Sequence, residues 1–204
     1  MLTSRAPRAT HGLDTRARLA LFHGTSLGAS DALGMDDAEI NYDCMMRNGV
    51  RPNNLRAAGQ GPAALRARGV TTATQLRQLG LDSLHLCDAD LCNEACLAYG
   101  AAAIADTFLV SASDAVNLAG MEAMHILDLH AKRLLECCVG FPGEAAAVLE
   151  QLPAGISLQG VPCATVLDAG LRAEALMRAG YGLATVCSQL SPTGAQLAKL
   201  GYSV

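Results

Sequence analysis

Apolar and polar positions along this chain fall into short units rather than long amphipathic stretches. Leu55, Leu65 and Leu76 each stand four residues before a glycine, at Gly59, Gly69 and Gly80. With Gly49 these glycines are spaced 10, 10 and 11 residues apart. The pattern returns near the C-terminus, where Val166, Leu176 and Leu197 precede Gly170, Gly180 and Gly201, and Gly160 opens the block. Between the blocks, Gly100, Gly120 and Gly140 keep the same phase with alternate glycines missing.

A self-similar step of this kind bears on the whole fold. A helix closes readily on a glycine just past its last turn, because glycine takes the left-handed conformation without a Cβ penalty, and the next residue is often apolar and folds back onto that turn. Gly69-Val70, Gly80-Leu81, Gly140-Phe141, Gly180-Tyr181 and Gly201-Tyr202 fit that description. A polar residue or proline then starts the next helix, as Thr71, Asp82, Pro142 and Pro162 are placed to do. The unit is therefore a helix of about six to eight residues carrying one Leu or Val toward a core. Gly49, Gly59, Gly69, Gly80, Gly160, Gly170, Gly180 and Gly201 are the expected helix-terminating positions.

Helices this short are unstable in isolation, so they need to stack on one another. Where a glycine is skipped, longer helices are expected, over 88–98, 101–110, 112–119, 121–138 and 143–152. The predicted fold is all-α, with glycine-punctuated units stacked as a compact solenoid or bundle and longer helices in the middle. The expected organisation is an extended basic arm, 1–38, and one helical domain, 39–204, with repeat blocks at 46–81 and 160–202.

Composition supports helices over sheets. Half of the 204 residues are hydrophobic, chiefly Ala, Leu and Val, with no Trp and only seven Phe and Tyr. Sandwiches and barrels want more aromatic and β-branched residues in alternation. The most apolar stretch, Leu97 to Met121, is interrupted by Asp106, Asp114 and Gly100 and does not read as a membrane span. The eight cysteines sit mostly in apolar stretches without a secretory signal, which suggests reduced, buried thiols in an intracellular, reducing setting.

Charge divides the chain. Residues 1–80 carry ten Arg, no Lys and six acids, for a net +4, whereas 81–204 carry five basic residues and thirteen acids, for −8. Arg5, Arg8, Arg16 and Arg18 make the start of the chain basic, with Ser and Thr between them, a composition shared with transit peptides. The expectation here is instead a retained arm that contacts a neighbouring subunit through its charge.

Leu65-Arg66-Ala67-Arg68-Gly69-Val70-Thr71-Thr72 and Leu176-Met177-Arg178-Ala179-Gly180-Tyr181 resemble the short Leu-x-x-x-Gly-(apolar or aromatic)-(Ser/Thr) helical repeats found in proteins of large DNA viruses, protists and algae. That resemblance covers about half the chain and implies an α-solenoid or compact helical stack, not a chemistry. A second resemblance lies in Ala58-Gly59-Gln60-Gly61-Pro62-Ala63-Ala64-Leu65, which is similar to the core of helix-hairpin-helix proteins. There the glycine hairpin lets backbone N–H groups approach a nucleic-acid phosphate. It implies Gly59, Gly61, Arg66 and Arg68 as contacts. The chain departs from that family at Gln60, where an apolar anchor is usual, and its acidic body would repel a duplex.

Other chemistry is weakly signalled. His85, Cys87, Cys92 and Cys96 invite a zinc reading, but no Cys-x-x-Cys is present and buried thiols on helices account for them. His125 and His130 lie near Asp128 without sharing a helical face. No phosphate loop, dinucleotide fingerprint, His-Glu-x-x-His or Gly-x-Ser-x-Gly occurs. No catalytic residue, metal or cofactor is expected. The expected role is a non-enzymatic structural subunit of a large assembly, first a virion minor capsid or cement protein, with other protein subunits as partners. The alternatives are a helix-hairpin-helix nucleic-acid-binding protein and an accessory subunit of an organelle complex.

Overall fold

The computed structural model of the protein describes residues 41–47, 61–127, 129–153 and 156–203. The described residues are helical or irregular, with no strand among them. The chain divides into two compact units, 1–70 and 71–204. The expected arm, 1–38, lies outside the described residues, as do Gly49 and Gly59.

In the first unit, α1 (Tyr42–Arg47) and α2 (Pro62–Ala67) are single short helices. The Asn41 side chain accepts from the Cys44 N–H at 3.0 Å and so caps α1. Pro62 opens α2, where its missing N–H costs nothing. The Tyr42 N–H donates to the Arg68 carbonyl at 3.2 Å, joining the two helices, and Cys44, Met45, Leu65 and Val70 are buried.

The second unit runs through α3 (Ala73–Gln78), a 3-10 turn (His85–Cys87), α4 (Ala89–Tyr99), α5 (Ala101–Phe108), α6 (Ala112–Ala119) and α7 (Met124–Leu127). It continues through α8 (His130–Cys137), α9 (Pro142–Gln151), α10 (Cys163–Asp168), α11 (Ala173–Arg178), α12 (Leu183–Leu190) and α13 (Gly194–Leu200). Local sequence accounts for many of the starts. Thr72 and Thr193 form capping boxes with Gln75 and Gln196. Asp88 and Ser111 cap α4 and α6 through their side chains.

A step of about thirty residues recurs in the packing. It brings an element against the third element after it, or against the second after it from α8 and α9. In this way α3 meets α5, the 3-10 turn meets α6, and α4 meets α7. Further along, α6 meets α9, α8 meets α10, α9 meets α11, and α10 meets α13. Hydrogen bonds report the same step. Arg77 Nη1 donates to the Thr107 carbonyl at 2.7 Å, and the Leu158 N–H donates to Gln189 Oε1 at 2.7 Å. An ion pair joins Arg178 to Glu150 at 3.5 Å. The core lies between these layers and takes one or two aliphatic residues from each, among them Leu76, Ile104, Leu118, Leu134, Val148, Val166, Leu176 and Val186. Each such side chain contributes on the order of 1.5–3 kcal/mol by leaving water.

One expected helix is corrected. Residues 121–138 form two helices, α7 and α8, rather than one. The chain is in a turn at Leu129, and α8 begins at His130, one ten-residue step after Gly120. The missing glycine therefore does not lengthen the helix there, because stacking still requires a corner at that position.

Candidate functional site

The glycines expected to end helices are the first residues to place. Gly69, Gly80, Gly160, Gly170, Gly180 and Gly201 all have φ between +77° and +97°. Gly160 nevertheless ends no helix, contrary to expectation, because irregular residues 156–158 and a turn precede it. Five of them sit in the same double hydrogen bond. At Gly69, the glycine N–H donates to the Arg66 carbonyl and the Val70 N–H to the Leu65 carbonyl. Gly80-Leu81, Gly170-Leu171, Gly180-Tyr181 and Gly201-Tyr202 repeat it with Leu76, Val166, Leu176 and Leu197 as the far acceptors. In the first four the residue after the glycine and its far acceptor are both buried. Gly100 and Gly140 are also left-handed, at +88° and +83°. Gly120 is not, with φ −83°. Ser191 stands at the corner after α12 with φ +44°, the one non-glycine residue with positive φ among the described residues.

Gly170 carries a second constraint. A Cβ built there would lie 2.7 Å from Pro142 Cβ, at the start of α9. The glycine admits the neighbouring layer as well as the turn.

The residues of the helix-hairpin-helix resemblance are only partly described. Gly61 is extended, with φ −79° and ψ 178°, and caps α2. Arg66 is exposed on α2, and Arg68 is half-buried just after it. The hairpin itself, with Gly59, lies outside the described residues.

A polar cluster unforeseen from sequence joins the 3-10 turn to α6. Ser83 is buried, and its Oγ donates to Asp114 Oδ1 at 2.8 Å while accepting from Asn117 Nδ2 at 3.1 Å. Ser111 Oγ donates to Asp114 Oδ2 at 2.7 Å, so one carboxylate ties two corners together. Cys87 Sγ donates to the Asn117 carbonyl at 2.8 Å. The signal for part of this was Ser111-x-x-Asp114, a helix-start pattern. Ser83 carried none, because its partners are about thirty residues away.

Several thiols and one carboxylate are shifted by their surroundings. Burial raises the Cys87 thiol, and the Asp82 carboxylate adds to that. Cys92 is pushed up first by the hydrogen bond it shares with Cys96 and then by burial, whereas that same bond lowers Cys96. Burial also raises Cys137 and Cys163, and it pushes Cys138 up to about 11. A raised thiol is a poor nucleophile at neutral pH. Burial acts to raise Asp82, but hydrogen bonds from the His85 backbone and ring outweigh it and hold the carboxyl below its ordinary value. His85 and Asp82 lie 2.6 Å apart, while His125 is exposed and His130 is buried. Among the described residues, no three His, Cys, Asp or Glu side chains come together as a metal-holding group.

The remaining surface feature is apolar. Leu84, Val110, Val139 and Phe141 are 64%, 50%, 47% and 53% exposed. They fall at successive corners of the packing. Ser83, beside Leu84, shares the Asp114 carboxylate with Ser111, beside Val110. Leu109, on the other side of Val110, accepts from Cys137 Sγ at 3.1 Å, two residues before Val139.

The class this defines is an all-α protein of short, glycine-closed helices. Comparison of the chain with protein-family models, curated proteins and solved structures finds no match. Among the described residues, no helix is long and apolar enough to cross a membrane.

Proposed function

We propose that this chain is a non-enzymatic scaffold, a structural subunit that binds other proteins in a larger assembly. The observation that carries the reading is the recurrent packing step of about thirty residues in the second unit. Repetition of one layer at a step of about thirty residues builds an extended surface from local contacts, as in solenoid proteins, whose surfaces serve for binding. We read the second unit as a short solenoid with two or three helical elements to each turn. The side chains described above are used up in holding corners together, which agrees with an architectural role.

Within that class, the resemblance to short helical repeats of large DNA viruses favours a virion minor capsid or cement protein. The test is co-fractionation. Particles or complexes from the source of the protein are separated on a density gradient and then by gel filtration. A scaffold subunit is recovered at fixed stoichiometry with other proteins. Recovery of the whole population as a free monomer would refute the reading.

The nucleic-acid reading has in its favour the pair Arg66 and Arg68, within and just beyond α2 beside the expected hairpin. It predicts duplex binding that falls steeply with salt and is lost in Arg66→Glu/Arg68→Glu. No binding at low ionic strength would remove it.

A further inference from the structure

We propose that α13 exchanges between two copies of this chain, with the Ser191–Pro192 corner as the hinge, so that the closed monomer and a swapped dimer are built on one interface. The proposal goes beyond the scaffold reading and does not depend on it.

Three observations support it. First, this corner lacks what holds the glycine corners. Ser191 is left-handed, with φ +44° and ψ +52°. A residue before proline is drawn to extended backbone instead. At Gly69, Gly80, Gly170, Gly180 and Gly201 the next residue donates its N–H to the carbonyl five positions back. Pro192 has no N–H, so that bond cannot form after Ser191. Second, α13 is closed at both ends by its own bonds. Thr193 and Gln196 form its capping box, and the Gly201 and Tyr202 N–H groups donate to the Leu197 carbonyl at 3.1 and 3.0 Å. None of these bonds crosses the corner, so opening the hinge breaks none of them. Third, α13 rests on few anchors. It lies against α10, and Leu200 is its one buried side chain. Just beyond it, Tyr202 Oη donates to the Tyr181 carbonyl at a long 3.5 Å. A segment with so few buried contacts opens locally before the rest of the fold.

The occupant follows from the seat. The surface that α13 leaves when it opens is shaped to α13, and a second copy supplies the same helix. Exchange is reciprocal, so it closes as a two-fold dimer. Every contact of α13 is remade there, and each hinge becomes free to extend, which relieves Ser191 in both copies. Short hinges under strain favour exchange for this reason. Against it stands the short tether, which presents α13 to its own seat at an effective concentration of about 1 mM. The chain is therefore monomeric when dilute and dimerises as its concentration approaches that value.

The test uses the full chain and gel filtration with light scattering, after incubation at concentrations from ~1 μM to ~1 mM. Two hinge variants push in opposite directions. Ser191→Gly takes the left-handed corner freely, and its dimerisation constant is expected to fall about fivefold or more, since each dimer contains two hinges. Ser191→Val places a β-branched residue where φ is positive, which disfavours the closed corner, and its constant is expected to rise by as much. Adding Leu200→Ala to Ser191→Val removes the anchor of α13 in the partner and should return the chain to monomer. Circular dichroism checks that the variants keep their helices, and if Ser191→Val loses them, Ser191→Gly against wild type decides. Constants that do not rise in the order Gly, Ser, Val would overturn the proposal, as would a monomer at every concentration. A dimer that survives Leu200→Ala unchanged would overturn it too, because another surface would then hold it.

Discussion

Replacing Gly170 by alanine separates two reasons for a glycine. Gly170 and Gly180 both close short helices in the left-handed region, at φ +77° and +89°. An L-residue there costs roughly 1–2 kcal/mol. Loss of glycine's freedom in the unfolded chain returns about 0.4–1 kcal/mol of that. Gly180→Ala, with nothing within 4 Å of its new Cβ, should therefore destabilise by about 1 kcal/mol. At Gly170 the added Cβ meets Pro142 Cβ at 2.7 Å, and one of the two layers must move. Overpacking of that kind costs about 1–3 kcal/mol more. Gly170→Ala should then lose about 2–4 kcal/mol, a large part of the ~5–15 kcal/mol that holds a domain together. Urea unfolding followed by far-ultraviolet circular dichroism measures both. With a slope of about 2 kcal/mol/M, the midpoint falls by roughly 0.5 M for Gly180→Ala and 1–2 M for Gly170→Ala. A double-mutant cycle isolates the contact. In a Pro142→Gly background the opposing Cβ is gone, so the excess cost of Gly170→Ala should disappear, with a coupling of about 1–3 kcal/mol. Equal midpoints for the two alanine variants, or no coupling to Pro142, would refute the reasoning.

Further variants test the corners and caps. Ser191→Gly should stabilise by about 0.5 kcal/mol, since relief of a left-handed serine exceeds the added freedom of the unfolded chain, and a lower urea midpoint would count against this. Thr72→Ala and Thr193→Ala each remove a capping box and should cost about 1 kcal/mol, whereas Thr185→Ala inside α12 should cost less. Asp114→Ala leaves the buried Ser83 hydroxyl without its acceptor and should lose about 1–3 kcal/mol, with Asp106→Ala, at a 77% exposed carboxylate, as a near-neutral comparison. Titration of the native protein with a thiol reagent should modify Cys187 first and Cys87 next. Cys87 is exposed, but its sulfur is hydrogen-bonded and burial pushes its thiol pKa up, so less of it is thiolate, and the buried cysteines should react only in denaturant.

How much of this was legible in sequence depended on the range of each interaction. Gly69-Val70 and Gly180-Tyr181 could be read because every group in the motif lies within six residues. Thr72-x-x-Gln75 and Thr193-x-x-Gln196 are equally local and were there to be read as helix starts. The 121–138 stretch misled because its apolar periodicity runs on past Leu129 and no glycine marks the break. Ser83 with Asp114 and Gly170 against Pro142 are pairs about thirty residues apart, so only the packing of layers reveals them.

The two periods, ten and about thirty, express one constraint. Each unit is too short to hold itself, so its helix exists only where a layer meets it about thirty residues away. That layer sets where the chain must turn. Glycine is the easiest residue for the turn, but the turn is demanded by packing and not by the glycine. The corner at Ser191 shows this, because a serine takes a left-handed conformation in step with the glycines around it. Leu129 shows it again, since α8 starts just after this turn residue, which is not left-handed, with φ −100°. Gly120 shows the converse, a glycine in step whose freedom is not used. On this argument a glycine placed inside a unit should cost only its helix propensity, about 1 kcal/mol, without creating a corner. Ala146→Gly in α9 makes that comparison. Its circular dichroism should keep the helix, and loss of the helix would mean that glycine sets the period after all.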